Sequence, residues 1–202
     1  MATEIAYRAA NCGTPLRVEP SRTPGRFHRA GGFPTQYACL HPLGPLAEVI
    51  RRQNLDADEA AELRMRIWAL RIELDGLAEV DFSSAGQFGI LPEALVSDDC
   101  CACRQLADRE RSRGARGLIV PSAALPGTRN VVIFGERVAA GYLDTPIAVL
   151  DVPTSIVSDQ GQPPRSLHPL VRRVGQTHAG LAAWESAAAF SFGEPDWSFP
   201  GT

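Results

Sequence analysis

The sequence contains no lysine, so all 20 of its basic residues are arginine. This absence excludes chemistry that needs a lysine amine, such as Schiff-base catalysis or the phosphate contact of a P-loop. The chain also lacks an uncharged apolar run of the roughly 18–20 residues that a membrane span needs. Charged residues at positions 4, 8 and 17 interrupt the first twenty residues, so no signal peptide is expected. We therefore expect a cytoplasmic protein.

The chain also lacks an excess of positive charge, because its 202 residues carry a formal net charge of −3. Direct nucleic-acid binding by this chain is therefore not expected. Hydrophobic residues make up 45% and charged residues 21%, which is typical of a globular protein and excludes a wholly disordered one. The length predicts one ordinary domain, or one domain with an appendage.

Cysteine is present five times, an odd number that fits no complete disulfide framework. Cys100, Cys101 and Cys103 suggest a zinc site, but no second ligand pair lies nearby. Helical spacing puts Cys103 on one face with Leu106 and Ala107, so we expect it to pack in the core. None of the four histidines forms an H-x₃-H pair, and we expect no metal.

Several common catalytic signatures are also missing. The chain has no G-x-S-x-G, no Walker loop, no G-x-G-x-x-G and no H-E-x-x-H. Serine-hydrolase, P-loop and Rossmann functions therefore lack support. Evidence for a function must come from scattered Arg, Tyr, Glu and Ser residues.

Hydrophobic patterning predicts a mixed α+β fold without internal repeats. Strands are expected at residues 5–10, 35–40, 68–74, 117–121 and 130–134, with 77–82 extending the third strand and 146–157 forming another strand or an extended arm. Helices are expected at 45–53, from a capping box at Asp56 and Glu59 to about residue 66, from a cap at 97–99 to 114, and at 168–189. The strand at 68–74 alternates and should be half-buried. A C-terminal appendage begins near residue 138.

Residues 11–34 are rich in Pro, Gly and Arg and have no regular period. A loop of that length in a compact domain is usually functional or mobile. Its arginines at positions 17, 22, 26 and 29 suggest anion binding, while a solvated basic loop is the alternative.

The helix at 45–53 carries a carboxylate whose position is ambiguous. Leu46 and Ile50 share an apolar face, and Glu48 falls roughly opposite to it. The pattern alone therefore predicts a solvated Glu48, with an ion pair to Arg52 as one option. The first helical turns also favour a negative charge through the helix dipole.

Five short blocks together resemble the RES domain, a family named after an Arg, a Glu and a Ser. The resemblance covers roughly residues 5–137. The blocks are Tyr7-Arg8, Gly25-Arg26-Phe27-His28-x-x-Gly31, Thr35-Gln36-Tyr37-Ala38, Leu46-Ala47-Glu48-Val49 and Val120-Pro121-Ser122-Ala123.

The resemblance implies an ADP-ribosyltransferase-like core of twisted, mainly antiparallel β-sheets with flanking helices. Residues 1–137 would form this catalytic domain, and residues 138–202 a C-terminal helical extension that belongs to the same compact unit or serves association. It also implies a toxin of a bacterial toxin–antitoxin pair, with an Xre-like helix-turn-helix antitoxin as its partner. A homodimer of the toxin within that complex is a further option.

The family's substrate is NAD⁺, whose nicotinamide–ribose bond is cleaved by hydrolysis or phosphorolysis. Transfer of ADP-ribose to a protein is the enzymatic alternative. By position, the resemblance makes Glu48 and Arg8 catalytic and assigns NAD⁺ binding to Arg8, Arg26, Tyr37 and Ser122. The chain departs from the family pattern at two positions close to these residues. Ala9 follows Arg8 where the family often has an aromatic residue, and His28 stands where the family usually has Asn. These departures leave a non-catalytic binding module as a third option.

Overall fold

A computed structural model of the protein describes residues 3–9, 20–63, 65, 67–135, 143–146 and 163–195. The strands are β1 (Thr3–Ala9), β2 (Thr35–Cys39), β3 (Ile67–Glu73), β4 (Leu77–Glu79), β5 (Gly117–Pro121), β6 (Arg129–Phe134) and β7 (Leu143–Pro146). The α-helices are α1 (Gly44–Gln53), α2 (Ala57–Glu62), α3 (Cys101–Ser112) and α4 (Ala179–Glu185). Short 3₁₀ helices span Ala85–Phe88, Pro92–Leu95 and Arg165–Leu170. Within these ranges, no helix has both the length and the apolar character to cross a membrane.

The seven strands form one sheet in the order β4-β5-β6-β2-β1-β3-β7. Only the β4–β5 pairing is parallel among the described strands, and the others are antiparallel. The mixed α+β fold with a mainly antiparallel sheet is therefore confirmed.

The sheet is nearly divided in its middle. Strand β1 pairs with β3 along its whole length, and β2 pairs with β6 in the same way. Between β1 and β2, in contrast, the described residues share a single registered pair, Tyr7 with Cys39. The sheet therefore consists of two half-sheets, the first containing β1, β3 and β7 and the second containing β2, β4, β5 and β6.

Apolar side chains cover both faces of the sheet. On one face, Leu46 and Ile50 of α1 pack with Ile67 and Ala69 of β3. On the other, Leu70 and Ile72 of β3 join the neighbouring strands, including Ala6, Ala38 and Ile133. The face of β3 that alternation predicts to be polar is buried by α1 at Ile67 and Ala69, whereas Glu73 on the same face is partly exposed.

A third apolar cluster lies under α3. It contains Cys103, Leu106 and Ala107 of that helix, all fully buried, together with Leu118 and Val132 of the second half-sheet. Core packing of Cys103 is confirmed, and burial raises the pKa of its thiol to about 11.

Some helix boundaries lie where the sequence signals predict them and others do not. The capping box before α2 is confirmed, since the Asp56 carboxylate accepts the N–H of Glu59 at 2.9 Å and the Glu59 carboxylate accepts the N–H of Asp56 at 2.9 Å. Helix α2 ends at Glu62, however, and does not continue to residue 66. Helix α3 begins at Cys101 and not after Ser97.

Residues 77–82 do not extend β3. Gly76 adopts φ +82°, a conformation that suits glycine, and the chain turns there. The following strand β4 lies at the opposite edge of the sheet, parallel to β5. Nothing in the alternation of residues 68–82 reveals that the two strands belong to different half-sheets.

The single helix expected at 168–189 is wrong. The segment contains a 3₁₀ helix (Arg165–Leu170) and the short α4, separated by a turn in which Gly175 has φ +81°. Pro169 removes a backbone donor, so a regular helix through residue 168 is unfavourable. Val174 is 59% exposed whereas Leu181 is buried, so these two residues do not share one apolar helix face. The expected strand or arm at 146–157 lies outside the described residues, apart from Pro146 at the end of β7.

Candidate functional site

A cleft of about 380 Å³ opens beside Tyr7 and Cys39, the registered pair that joins the half-sheets among the described residues. Both half-sheets, the 25–27 loop and α1 contribute to it. Of the five residues predicted for the site, Arg8, Arg26, Tyr37 and Glu48 line this cleft and Ser122 does not. The remaining lining residues are Tyr7, Ala9, Phe27, Thr35, Ala38, Cys39, Pro45, Val49, Arg52, Met65, Asn130 and Val132.

Glu48 lines the cleft and is half-buried. It lies on α1, and its Oε1 accepts a hydrogen bond from the Asn130 amide nitrogen at 2.8 Å. The side of α1 opposite its apolar face therefore borders the cleft, and Glu48 is half-buried there. Among the described contacts, the hydrogen-bond partner of Glu48 is Asn130 and not Arg52.

The start of α1 packs closely on β2, which fixes the height of Glu48 above the sheet. A Cβ atom at Gly44 would lie 2.5 Å from the Cys39 Cβ, so only glycine permits this approach. Burial, reinforced by the Glu48 charge, raises the pKa of the Cys39 thiol well above its usual value. Cys39 is therefore a neutral, apolar floor next to the carboxylate.

Arg8 lies on β1, at the edge where the half-sheets diverge. Its Nη1 donates a hydrogen bond to Oε1 of Gln36 on β2 at 2.9 Å. Gln36 is almost fully buried, and its side-chain nitrogen has no hydrogen-bond partner among the described residues. The contact spans the gap between the two half-sheets and holds the guanidinium beside the cleft.

Arg26 comes from the irregular loop and is held by backbone groups. Its Nη1 donates to the Ser97 carbonyl at 2.6 Å, with the Leu95 carbonyl at 3.4 Å. The loop is also fastened from α3, where Arg104 Nε donates to the Gly25 carbonyl at 2.9 Å. These contacts place a cation at the cleft without regular secondary structure.

Tyr37 is part of a polar chain that includes the unexpected His28. The Tyr37 hydroxyl accepts the N–H of Phe27 at 3.0 Å and lies 2.7 Å from His28 Nδ1. His28 Nε2 lies 3.1 Å from the Thr23 carbonyl, which can only accept. A neutral His28 therefore carries its proton on Nε2 and accepts the Tyr37 proton at Nδ1. Burial raises the pKa of Tyr37, and the neutral phenol can donate its proton to His28 as this hydrogen-bond arrangement requires.

Ser122 has a different place in the fold. It is fully buried in the turn after β5, where its hydroxyl oxygen accepts the N–H groups of Ala124 at 3.3 Å and Leu125 at 3.1 Å. Its carbonyl lies 2.9 Å from His178 Nε2. These contacts make it a residue that shapes the turn between β5 and β6.

Three lining or supporting residues were missed by the sequence analysis as parts of a site. Asn130 is the polar first residue of the apolar strand predicted at 130–134. Gln36 is a polar residue within the strand predicted at 35–40. Arg52 is exposed at the rim and was considered only as a partner for Glu48. A polar residue inside a predicted strand was the available signal for the first two.

The charges of the cleft favour an anion. Among the described lining residues, Arg8, Arg26 and Arg52 provide three guanidinium groups and Glu48 provides one carboxylate. Guanidinium groups suit the planar acceptor edges of phosphates. No group of three or more His, Cys, Asp or Glu that could hold a metal ion occurs in the part of the chain that the structure describes.

The fold is similar to that of a chain in the crystal structure of the M. tuberculosis MbcT-MbcA toxin-antitoxin complex. The superposition has a TM-score of 0.59 at 17% identity and covers 72% of this chain and 84% of that chain. The architecture is therefore one that a toxin–antitoxin complex also contains.

The RES domain family model matches residues 5–156, and the chain belongs to this family. A Mycobacterium tuberculosis protein named probable NAD(+) phosphorylase is 30% identical to it over 117 residues. That match covers 58% of this chain and 56% of the relative, so the chain spans little more than half of the relative's length.

Proposed function

We propose that this protein is an enzyme that consumes NAD⁺ by breaking the nicotinamide–ribose bond, and that it acts as the toxin of a bacterial toxin–antitoxin pair. The observation that carries the proposal is the convergence of Glu48, Arg8, Arg26 and Tyr37 on one cleft. Membership of the RES family and the similarity to a protein named NAD(+) phosphorylase support the same substrate.

The reaction needs little covalent chemistry from the protein. Nicotinamide leaves as a neutral molecule from a cationic ring, and the ribose develops oxocarbenium character. A carboxylate next to the ribose stabilises this positive charge and orients the hydroxyl groups. Glu48 has this role, because it is the carboxylate that lines the cleft among the described residues.

The arginines bind the pyrophosphate of NAD⁺. Arg8 and Arg26 each donate to a protein acceptor, the Gln36 side chain and the Ser97 carbonyl respectively, which holds each guanidinium at the cleft. Tyr37 offers an aromatic face for the nicotinamide or adenine ring, while its hydroxyl is satisfied by Phe27 and His28.

The acceptor of the ADP-ribosyl group distinguishes three forms of the proposal. Water gives hydrolysis, inorganic phosphate gives phosphorolysis, and a protein side chain gives mono-ADP-ribosylation. The name of the M. tuberculosis relative favours phosphate. We further propose that the protein acts in the cytoplasm and is inhibited by an Xre-like antitoxin, in keeping with the toxin–antitoxin complex that contains the similar fold.

The test is incubation of the purified chain with adenine-labelled NAD⁺, with and without inorganic phosphate and with and without bacterial extract. Intact NAD⁺, soluble products and protein-bound label are counted separately. The variant Glu48→Gln is expected to lose about 10²–10³-fold in kcat, the size typical for removing one electrostatic contact to a transition state. Glu62→Gln, on the exposed end of α2, is the matched control and should equal the wild type.

Phosphate-dependent loss of NAD⁺ into small products establishes phosphorolysis, and loss without phosphate establishes hydrolysis. Label on a protein band establishes the transferase. Intact NAD⁺ under all conditions, or a Glu48→Gln variant as active as the wild type, overturns the proposal in favour of a non-catalytic binding module.

A further inference from the structure

Asn130 is the one side chain through which the sheet holds the Glu48 carboxylate among the described contacts. It lies on β6, where its backbone is in register with Cys39 of β2 on one side and Val120 of β5 on the other. A residue paired on both sides has little backbone freedom. The direction of the Asn130 side chain is therefore set by the sheet, and not by the helix that carries Glu48.

The orientation of the Asn130 amide follows from the chemistry of its partner. An ionised carboxylate can only accept, so the amide must present its nitrogen to Glu48 Oε1, at 2.8 Å. The amide oxygen is then left buried, without a hydrogen-bond partner among the described residues. An unpaired buried acceptor is unfavourable, and an apolar residue here would avoid it. Asn130 therefore provides the contact with Glu48 although its unpaired oxygen makes the strand less stable.

We propose that Asn130 is a positioning residue for the NAD⁺-cleaving reaction, which orients Glu48 through this hydrogen bond. The inference rests on the proposed function. The amide engages Oε1 and selects one rotamer of a flexible side chain, so that Oε2 faces the ribose. Glu48 is thereby held from two independent elements, by its own backbone on α1 and by Asn130 on β6.

The first test is Asn130→Asp, which keeps the shape of the side chain but replaces the donor with a second carboxylate. We expect kcat for NAD⁺ consumption to fall at least about 30-fold, with KM within about threefold, because the loss lies in the transition state. The acidic limb of the pH–kcat profile should move to higher pH, since two neighbouring carboxylates resist ionising together. Asn54→Asp, at the exposed C-cap of α1, is the matched control and should change neither value.

A second pair of variants separates positioning from folding. Asn130→Leu removes the donor and also the unpaired acceptor, so its stability to urea should equal or exceed that of the wild type while kcat falls as in Asn130→Asp. Asn130→Gln retains an amide donor and should recover part of kcat. In a Glu48→Gln background, Asn130→Leu should cause no further loss, because both changes act on the same group.

The outcomes distinguish this inference from the proposed function. If the wild type consumes NAD⁺ and Glu48→Gln does not, while Asn130→Asp and Asn130→Leu match the wild type, only the positioning role is overturned. A fall in kcat that tracks the fraction of folded protein, with an unmoved pH profile, overturns it as well. A wild type that consumes no NAD⁺ overturns the proposed function and the positioning role together.

Discussion

The cleft and a second polar cluster, whose residues do not line the cleft, contain similar kinds of side chain with different surroundings. We define the second cluster as Asp98, Ser122, Arg172 and His178. In it, Asp98 accepts hydrogen bonds from Arg172 at 3.0 Å and from the N–H of Gly175 at 2.6 Å, and both ring nitrogens of His178 are engaged. In the cleft, the arginines and Glu48 border an open volume of about 380 Å³.

This contrast explains why residue type alone does not identify the site. An Arg and a carboxylate occur in both regions, and the short block around Ser122 resembles a family motif as well as the block around Glu48 does. What separates the regions is the set of partners. In the second cluster the polar groups stabilise the fold by binding one another, whereas in the cleft they face space that a ligand can occupy.

Loss of a cation from the cleft should reduce activity strongly. In Arg8→Ala we expect kcat/KM for NAD⁺ to fall about 10–100-fold, the size that corresponds to a hydrogen bond with a charged group. Arg22→Ala, which removes an exposed arginine outside the cleft lining, should leave kcat/KM unchanged. Steady-state kinetics on both variants provides the measurement, and equal activities would remove Arg8 from the site.

Ser122→Ala should produce the opposite pattern. Its hydroxyl serves two backbone N–H groups in a buried turn, so the free energy of unfolding should fall by about 1–3 kcal/mol. Because Ser122 does not line the cleft, kcat/KM should stay within about threefold. Urea denaturation and kinetics on the same preparation test both statements. Retained stability with lost activity would return Ser122 to the catalytic machinery.

The second cluster should also make stability depend on pH. Burial lowers the pKa of His178, although its hydrogen bond to the Ser122 carbonyl acts in the opposite direction. The neutral ring is needed because Nδ1 accepts the N–H of Leu181 while Nε2 donates to Ser122. His178 therefore binds a proton more readily in the unfolded chain than in the folded one. The stability that the neutral ring contributes is fully present above about pH 6.5. It is lost as the pH falls through the lower folded value.

Urea midpoints at pH 7.5, 6.5 and 5.5 measure this dependence. We expect the wild type to lose stability on acidification more steeply than His178→Gln, which cannot titrate at this position. The other three histidines are common to both proteins and cancel in the comparison. Parallel pH profiles would show that His178 is not responsible.

Local signals in the sequence predict much of the fold. The apolar runs at 117–121 and 130–134 are strands, Pro45 lies in the first turn of α1, and Asp56 with Glu59 forms the capping box. Each depends on neighbours within a few residues. The position of β4 at the far edge of the sheet depends on contacts with β5, about 40 residues away, and no local pattern contains that information.

The same limit applies to the site. Helical periodicity places Glu48 opposite the apolar face of α1 but does not reveal that this side borders a cleft, since the cleft is built by other elements. Arg26 is positioned by the carbonyls of Leu95 and Ser97, and Asn130 reaches Glu48 across 82 residues of sequence. The family resemblance brought Arg8, Arg26, Tyr37 and Glu48 together where periodicity could not. It carried no information about the support that holds them.

The divided sheet has a consequence for how this cleft can diverge during evolution. The register of β1 is set by β3 and that of β2 by β6, and among the described residues Ala9 lines the cleft without a registered partner on β2. Mutations at such positions alter the shape of the pocket while the ladders on the outer sides preserve the scaffold. The join between the half-sheets is thus a place where the ligand preference can change while the architecture is kept.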